Sequence, residues 1–141
     1  MAAEADNNTL ATYEKLDNGI HKLTLLKSNR AGVDALIVEL GKAYDSHPAG
    51  ETIRIIIDLR PDGMPPMAYA VPKVQGFFKS RVDLPKIRSA YLVRQSVMVS
   101  IMMTFLSTLR LSADRRVFDG DKDEEAIAWL LEDKGKEVAE S

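Results

Sequence analysis

The sequence predicts a single α/β domain built on a mostly parallel sheet. Segments with the two-residue apolar alternation of strands take turns along the chain with segments whose apolar residues recur at helical spacing. Residues 52–59 are almost continuously apolar, which is typical of a strand covered by helices on both faces. A chain of 141 residues, 45% of them apolar, is long enough to bury one core without disulfides or a metal. These observations together predict a layered α/β fold with right-handed crossovers.

Residues 12–16 and 20–26 predict an antiparallel β-hairpin at the start of the domain. Apolar and polar side chains alternate in both segments. The Asn18-Gly19 pair between them supplies the positive φ angles that a tight hairpin turn requires. The preceding residues 1–9 are small, polar and acidic, so we expect a disordered arm there and no secretory signal.

A helix and the central strand are expected after the hairpin. Ser28 or Asn29 is expected to cap the helix, and His47-Pro48 to end it. The apolar residues on its buried face recur at helical spacing: Val33, Leu36, Ile37, Leu40 and Tyr44. The strand over residues 52–59 is expected to be parallel and central, because it is β-branched and nearly free of charge after Arg54.

The next helix is interrupted by a proline. Pro72 is not tolerated deep inside a regular helix, so we expect an irregular start and a helix near residues 71–79. Residues 87–93 predict another strand. Ser96 is then expected to cap a third helix that runs to about residue 111.

A short strand and a last helix complete the predicted domain. The strand covers residues 115–118, and Asp121 with Glu124 three positions later predicts a capping box for the helix. The predicted order is therefore β-β-α-β-α-β-α-β-α, with five strands in a mixed, mostly parallel sheet and four helices. We expect one domain over residues 10–133 and a polar tail over residues 134–141.

Short strings at the central strand and near the C-terminal end of this pattern resemble those of a known family. They are Arg-Val-Phe at residues 116–118, Glu-Ala-Ile-Ala-Trp-Leu-Leu at residues 125–131, and Asp58-Leu59 at the end of the central strand. With the hairpin and the three αβ units, the chain resembles the SpoIIAA-like family of the STAS (sulfate transporter and anti-sigma-factor antagonist) superfamily over residues 10–133. The resemblance implies a STAS-like fold and a non-catalytic regulatory or protein-interaction role.

One departure from the family pattern affects that implied role. The best-known STAS proteins carry a phosphorylatable serine after the central strand, where a helix N-terminus favours a phosphate. Here position 60 is Arg60, and no Ser or Thr occurs between Ile53 and Lys79. We therefore predict that this chain is not a serine-phosphorylated antagonist of that type.

The sequence carries none of the common catalytic or cofactor-binding motifs, so we predict no enzyme activity, no cofactor and no metal. It has no cysteine and only two histidines, His21 and His47, and neither lies near an acid–nucleophile set. Nucleophile elbow, P-loop and glycine-rich dinucleotide turn are all missing. The acidic run at residues 119–125 imitates a calcium loop, but Glu124 stands at its glycine position and Leu130 at its terminal glutamate position. We therefore expect these acids to be structural.

Charge is distributed unevenly along the chain. The net charge of −2 divides into −3 over residues 1–72, +7 over residues 73–116 and −6 over residues 117–141. The basic middle either attracts an anionic surface or is neutralised by the flanks after folding. Few aromatic residues interleave with the basic ones, so we predict no nucleic-acid partner. The charge-free stretch at residues 95–109 is shorter than the roughly 20 residues of a membrane span, and a cytoplasmic location is expected.

A ligand site is predicted at the carboxyl ends of the strands, where open α/β sheets usually bind ligands. Arg60 and Arg94 follow consecutive predicted strands, and the helix N-terminus at Ser96 adds amide donors. An adaptable apolar lining is offered by three methionines: Met64, Met67 and Met98. This combination suits an amphipathic anion such as a fatty acid or a lipid. The alternative is that both arginines are solvated loop charges and the methionines fill gaps in the core.

The third predicted helix is apolar around most of its circumference. Its remaining stripe holds mainly small hydroxyl side chains: Ser100, Thr104, Ser107, Thr108 and Leu111. Neighbouring helices, a second copy of the chain or a membrane surface would each explain this pattern. Two functions therefore stay open: a module that binds a partner protein or a regulatory ligand, with homodimerisation through this helix, or a carrier or membrane-surface binder of an amphipathic anion.

Overall fold

The computed structural model describes residues 9–48, 50–81, 85–107 and 113–132. Within these ranges, strands and helices alternate in the predicted order. The strands are β1 (Ala11–Lys15), β2 (His21–Leu25), β3 (Ile53–Asp58), β4 (Ile87–Val93) and β5 (Ala113–Asp119). The helices are α1 (Arg30–Ser46), α2 (Met67–Lys79), α3 (Ser96–Leu106) and α4 (Asp123–Leu131). The predicted terminal arm and tail lie outside the described residues, except for Thr9.

The five described strands form one sheet in sequential order, β1-β2-β3-β4-β5. β1 pairs with β2 antiparallel, and every later pair is parallel, which confirms the predicted mixed, mostly parallel sheet with β3 at its centre. Gly19 has a φ of 88° in the turn between β1 and β2, as the Asn-Gly pair predicts. Because the pairings are in register, Ser89 on β4 lies between Ile55 on β3 and Arg115 on β5.

Helices cover the two faces of the sheet unequally. One face packs on α4 through a buried cluster: Ile20, Ile56, Ala90, Leu92, Phe118, Ala126 and Leu130. The opposite face packs on α1, α2 and α3 through two larger clusters, which include Leu23, Ile55, Tyr91 and Met102. β4 is buried along its whole length, as expected for a strand covered on both faces.

α2 begins earlier than the sequence predicts and contains Pro72. The helix starts at Met67, so the expected irregular start before residue 71 is wrong. The proline is tolerated because the one helical bond it removes would reach the carbonyl of Ala68, and both residues are exposed to water. The missing bond therefore lies on the solvent side, where water satisfies the carbonyl.

Only one of the three predicted helix caps is correct. Asn29 caps α1, and its Oδ1 accepts a hydrogen bond from the Gly32 amide at 2.7 Å. Ser96 is the first residue of α3 and Gln95 is the N-cap, so that prediction is wrong. Asp121 does not cap α4, since Lys122 occupies that position. The α4 N-terminus is stabilised instead by acidic residues in its first turn, beginning with Asp123.

α3 ends at Leu106 in the described part of the chain, and residues 108–111 of its predicted range lie outside that part. At 11 residues it is much shorter than a membrane span. Of the helices that the described ranges contain, none is both long and apolar enough to cross a bilayer.

Candidate functional site

A cavity of about 80 Å³ lies between the sheet and helices α1, α2 and α3. Its walls are almost entirely aliphatic or aromatic side chains from β2, β3, β4 and the three helices. The polar groups in its lining are Tyr44 on α1, Ser89 and Tyr91 on β4, and Arg115 on β5. An apolar pocket with a few convergent polar groups has the composition of a small-molecule site.

The alternation of side chains along the strands produces this composition. Ser89 and Arg115 stand side by side on the face that α1, α2 and α3 cover, in one cross-strand row with Ile55. The serine lies between the large residues Ile87 and Tyr91 on the same face of β4. A small side chain at that point leaves room between the sheet and the helices above it.

Three buried polar atoms at the cavity have no hydrogen-bond partner among the described residues. They are the Tyr44 hydroxyl, the Ser89 hydroxyl and the Nη2 atom of Arg115. Tyr44 is 8% exposed and Ser89 is 3% exposed. Buried polar groups are nearly always paired, and leaving one unpaired costs about 1–3 kcal/mol. A ligand with a polar head group would satisfy atoms that the described residues leave unsatisfied.

The electrostatics of the cavity keep both tyrosines protonated. Burial is the main reason that the pKa values of Tyr44 and Tyr91 lie above the usual tyrosine range. Opposing burial, the nearby Ser89 hydroxyl and then the positive charge of Arg115 lower the pKa of Tyr91, and Arg115 also lowers that of Tyr44; each of these effects is smaller than that of burial. The phenol groups are therefore neutral hydrogen-bond donors at physiological pH, within the field of the guanidinium.

The helices α2 and α3 form the less firmly held part of the cavity wall. Ala70 is the buried residue of α2, and Met102 and Leu106 are those of α3. By comparison α1, which completes the cover, buries five residues. Less burial means less free energy holding α2 and α3 to the sheet.

Arg60, a residue of the predicted anion site, is bound to groups of the chain itself. Its Nε and Nη2 atoms donate to the Asp58 carboxylate at 2.9 Å, and Nη1 and Nη2 donate to the Asp123 carboxylate at 2.8 and 2.9 Å. Nη1 also donates to the Gly120 carbonyl at 3.1 Å. The hydrogen bonds to the two carboxylates raise the pKa of the guanidinium. All five N–H groups of Arg60 are thus engaged in joining the end of β3 to the start of α4.

The remaining predicted site residues lie at the same end of the sheet, but they do not converge on the cavity. Arg94 is exposed; its Nε donates to the Arg60 carbonyl at 2.7 Å, and its Nη2 to the Pro61 carbonyl. Ser96 is exposed, while Met64 and Met98 pack against the core. Of the six predicted residues, Met67 alone lines the cavity. Anion binding at Arg60 and Arg94 stays a prediction.

The sequence analysis did not single out the polar residues of the cavity. The sequence assigns Tyr44 to a helix face, and Arg115 to the basic residues and to the start of the last predicted strand. A signal was present, because Ser89 shares its face of a buried strand with Ile87 and Tyr91. Arg115 shares its face with the core-packed Val117 in the same way. A polar residue on the apolar face of a buried strand is the pattern that would have identified them.

The acids near the start of α4 pair with cations of the chain. Asp119 accepts a hydrogen bond from Lys122 at 2.9 Å, and Asp123 pairs with Arg60. Within the described ranges, His, Asp and Glu residues form no group of three or more suited to a metal ion.

Comparison with known proteins identifies a family for the chain. A family model described as SpoIIAA-like matches residues 13–131, which is most of the chain. This family is of the STAS type. No curated protein and no solved structure matches the sequence.

Proposed function

The chain belongs to the SpoIIAA-like family, and we propose that it acts by binding an amphipathic small molecule in the cavity between the sheet and helices α1, α2 and α3. STAS-type domains are regulatory or interaction modules and in general are not enzymes. In such a domain, a bound molecule would control binding to a partner. A cytoplasmic location stays part of the prediction.

The observation that carries this proposal is the pairing of apolar walls with unpartnered polar atoms. The walls would shield an alkyl chain or ring from water, at about 25 cal/mol for each Å² of apolar surface removed. The hydroxyls of Tyr44 and Ser89 and the Nη2 atom of Arg115 would bond a head group. In a core with a purely structural role, buried polar atoms are nearly always hydrogen-bonded, so three unsatisfied ones around one cavity favour a binding role.

The size of the cavity sets a condition on binding. At about 80 Å³ it is roughly half the volume of an apolar cavity that takes up benzene, about 150 Å³. It therefore accommodates a head group and a few carbons as it stands. A longer chain requires α2 and α3 to move outward, and these are the helices with the fewest buried residues.

The chain has no serine at the position where the best-known STAS proteins carry a phosphorylatable one, and this supports control by a ligand. Arg60 occupies the position directly after the central strand. Its hydrogen bonds to Asp58 and Asp123 make this position part of a structural network. Without a hydroxyl between residues 53 and 68, no serine or threonine phosphate can form there. A ligand in the cavity is a different way to change the surface that a partner meets.

Binding of a neutral fluorescent probe tests the proposed function. We expect N-phenyl-1-naphthylamine to gain fluorescence with the wild-type protein and to be displaced by medium-chain amphiphiles. Ser89→Leu should fill the cavity and weaken probe binding at least tenfold, whereas Ser100→Leu on the exposed side of α3 should leave it unchanged. Ser89→Val is the milder variant if leucine prevents folding. A wild-type protein that binds no probe, or a folded Ser89 variant that binds as well as the wild type, would contradict the proposal.

Exposed apolar residues on α3 favour a second candidate function, binding to another protein. Val97 is 64% exposed, Ile101 is 45% exposed and Met103 is 51% exposed. Val97 and Ile101 are one turn apart on the same side of the helix, and exposed apolar surface of this kind marks interaction sites in monomeric folds. The partner is either a second copy of the chain or a different protein, and sedimentation distinguishes the two.

A further inference from the structure

We propose that the head group of the ligand is a carboxylate, held by Arg115 with Ser89 and Tyr44 as additional donors, and that its tail is an unbranched alkyl chain. This inference rests on the proposed function, since it names the ligand class of the same cavity. It is carried by the charge balance of the cavity, by its set of donors and by the direction in which its apolar walls run.

The charge balance comes first. Among the described residues that line the cavity, Arg115 is the only charged one, and no Asp or Glu is present. Its Nη2 atom is buried and unpartnered. Arg115 as a whole is partly buried, but a buried guanidinium N–H without an acceptor is costly, so an anion placed beside Nη2 would be favoured. One guanidinium balances one negative charge, which a carboxylate carries.

The donor set points to the same head group. Ser89 is the direct neighbour of Arg115 across β4 and β5, at the strand spacing of about 4.8 Å. The Tyr44 hydroxyl approaches from α1 and stays protonated, because burial raises its pKa. Three donors with no carboxylate among them favour a head group rich in acceptors. A carboxylate accepts from a guanidinium in a bidentate manner and keeps lone pairs for the two hydroxyls.

The walls give the direction of the tail. Ser89 and Arg115 lie in the same cross-strand row as Ile55. From that row the lining continues along β3 through Ile57 to Leu59, a length of about 13 Å at 3.3 Å per residue. Pro65 and Met67, which follow Leu59 in the chain, also line the cavity. An unbranched chain extended along the strands from Arg115 would contact apolar side chains and Tyr91, the neighbour of Ile57 on β4.

Three amphiphiles with the same ten-carbon chain test this assignment: decanoate, decanol and decylammonium. Displacement of N-phenyl-1-naphthylamine at pH 7.5 gives their affinities for the wild type, Arg115→Gln and Arg116→Gln. Arg116 is the matched control, because it is the adjacent arginine, is exposed and lies on the opposite face of β5. We expect the wild type to bind decanoate at least tenfold more tightly than decanol, with decylammonium weakest. Arg116→Gln should keep this order, and Arg115→Gln should abolish the preference for decanoate.

The outcomes separate the two proposals. If decanol binds the wild type as tightly as decanoate, the carboxylate assignment fails while the cavity remains a binding site. If the Arg116 variant loses the preference and the Arg115 variant keeps it, the assignment to Arg115 fails. If the probe does not bind and none of the three amphiphiles binds either, the proposed function fails as well. The wild-type comparison needs no variant, so a folding defect in Arg115→Gln does not remove the test.

Discussion

A chain of hydrogen bonds through Tyr13, His21 and His47 has its proton positions fixed by its last acceptors. The Nε2 atom of His47 lies 3.2 Å from the Glu51 carbonyl and 3.1 Å from the Thr52 carbonyl, so it must donate. His47 Nδ1 therefore accepts from His21 Nε2 at 3.0 Å, and His21 Nδ1 accepts from the Tyr13 hydroxyl at 2.7 Å. Both imidazoles are neutral in this arrangement, and together they tie the hairpin to the segment that follows α1.

The first prediction is that this chain makes stability fall in mild acid. Burial, assisted by smaller electrostatic interactions with His47 and Lys15, lowers the pKa of His21 from 6.5 to about 4. A histidine held neutral in the folded state contributes stability above pH 6.5, and this is lost progressively as the pH falls towards 4. We expect a loss of roughly 2 kcal/mol between pH 7.5 and pH 5, measured by urea unfolding. His21→Phe should have a flatter pH profile, and an equally steep one would contradict the assignment.

The second prediction concerns Arg60. Asp58 is 6% exposed, so removing the guanidinium would leave a buried carboxylate without its partner. We expect Arg60→Met to lower the free energy of unfolding by about 3 kcal/mol, because breaking a buried ion pair costs far more than breaking an exposed one. The control is Lys42→Met, which removes an exposed pair with Glu39 and should cost less than about 1 kcal/mol. Equal losses in the two variants would show that the network around Arg60 is not structural.

Arg60 also shows that the sequence around a residue does not reveal all of its partners in the fold. Its position after the central strand was predicted correctly, and a loop arginine there is a reasonable anion ligand. One of its two carboxylate partners, Asp123, lies 63 residues further along the chain, and no local pattern indicates that pairing. Ser89 and Arg115 differ in this respect, because the alternation along their own strands already places them on the apolar face.

Among the helices that cover the cavity, α2 is the one that we expect to open first. Ala70 is the buried residue of α2, and Pro72 removes one of its backbone hydrogen bonds. Segments with few buried contacts open at lower free energy than the rest of a fold. The helix was recognisable from the sequence, but its start was not, because the cost of the proline depends on whether the freed carbonyl faces water or the core.

The third prediction follows from this difference between helices. Amide hydrogens of α2 should exchange with solvent at least tenfold faster than those in the middle of α1, which buries five residues. Pro72→Ala should slow exchange across α2, since alanine restores the hydrogen bond to the Ala68 carbonyl. Hydrogen-exchange mass spectrometry measures both effects. Equal protection of α1 and α2 in the wild type would mean that α2 is not the weaker part of the cover.

The fourth prediction concerns the exposed apolar face of α3. The sequence left three explanations for that helix, and the structure leaves Ile101 45% exposed within one chain. We expect the wild type to show concentration-dependent sedimentation at tens of micromolar, and Ile101→Lys to remain monomeric. Val38→Lys is the control, because Val38 is an equally apolar residue, 58% exposed on α1. A wild type that sediments as a monomer throughout would exclude self-association and leave another protein as the partner.

Across the whole molecule, the architecture was predictable and the cavity was not. Apolar periodicity decides whether each segment becomes a strand or a helix, and the Asn-Gly turn fixes the hairpin, so the order of elements follows from local pattern. The sequential strand order depends on which strands pair with each other in the folded chain, and the sequence of a single segment does not determine this pairing. The cavity depends on how closely three helices approach one sheet, which is a property of packed volumes and not of patterns.

The fifth prediction links the cavity to the stability of the whole protein. Without ligand, the fold bears the cost of the unpartnered Ser89 hydroxyl, so Ser89→Ala should raise the free energy of unfolding by about 1 kcal/mol. Decanoate at 100 times its dissociation constant should stabilise the wild type by about 2.7 kcal/mol, because a ligand bound to the folded state alone shifts the unfolding equilibrium. The stabilised variant should gain less from decanoate, since it lacks one head-group donor. Calorimetric unfolding with and without decanoate measures both changes, and a Ser89→Ala protein that is less stable yet binds equally well would separate the cavity from the function proposed for it.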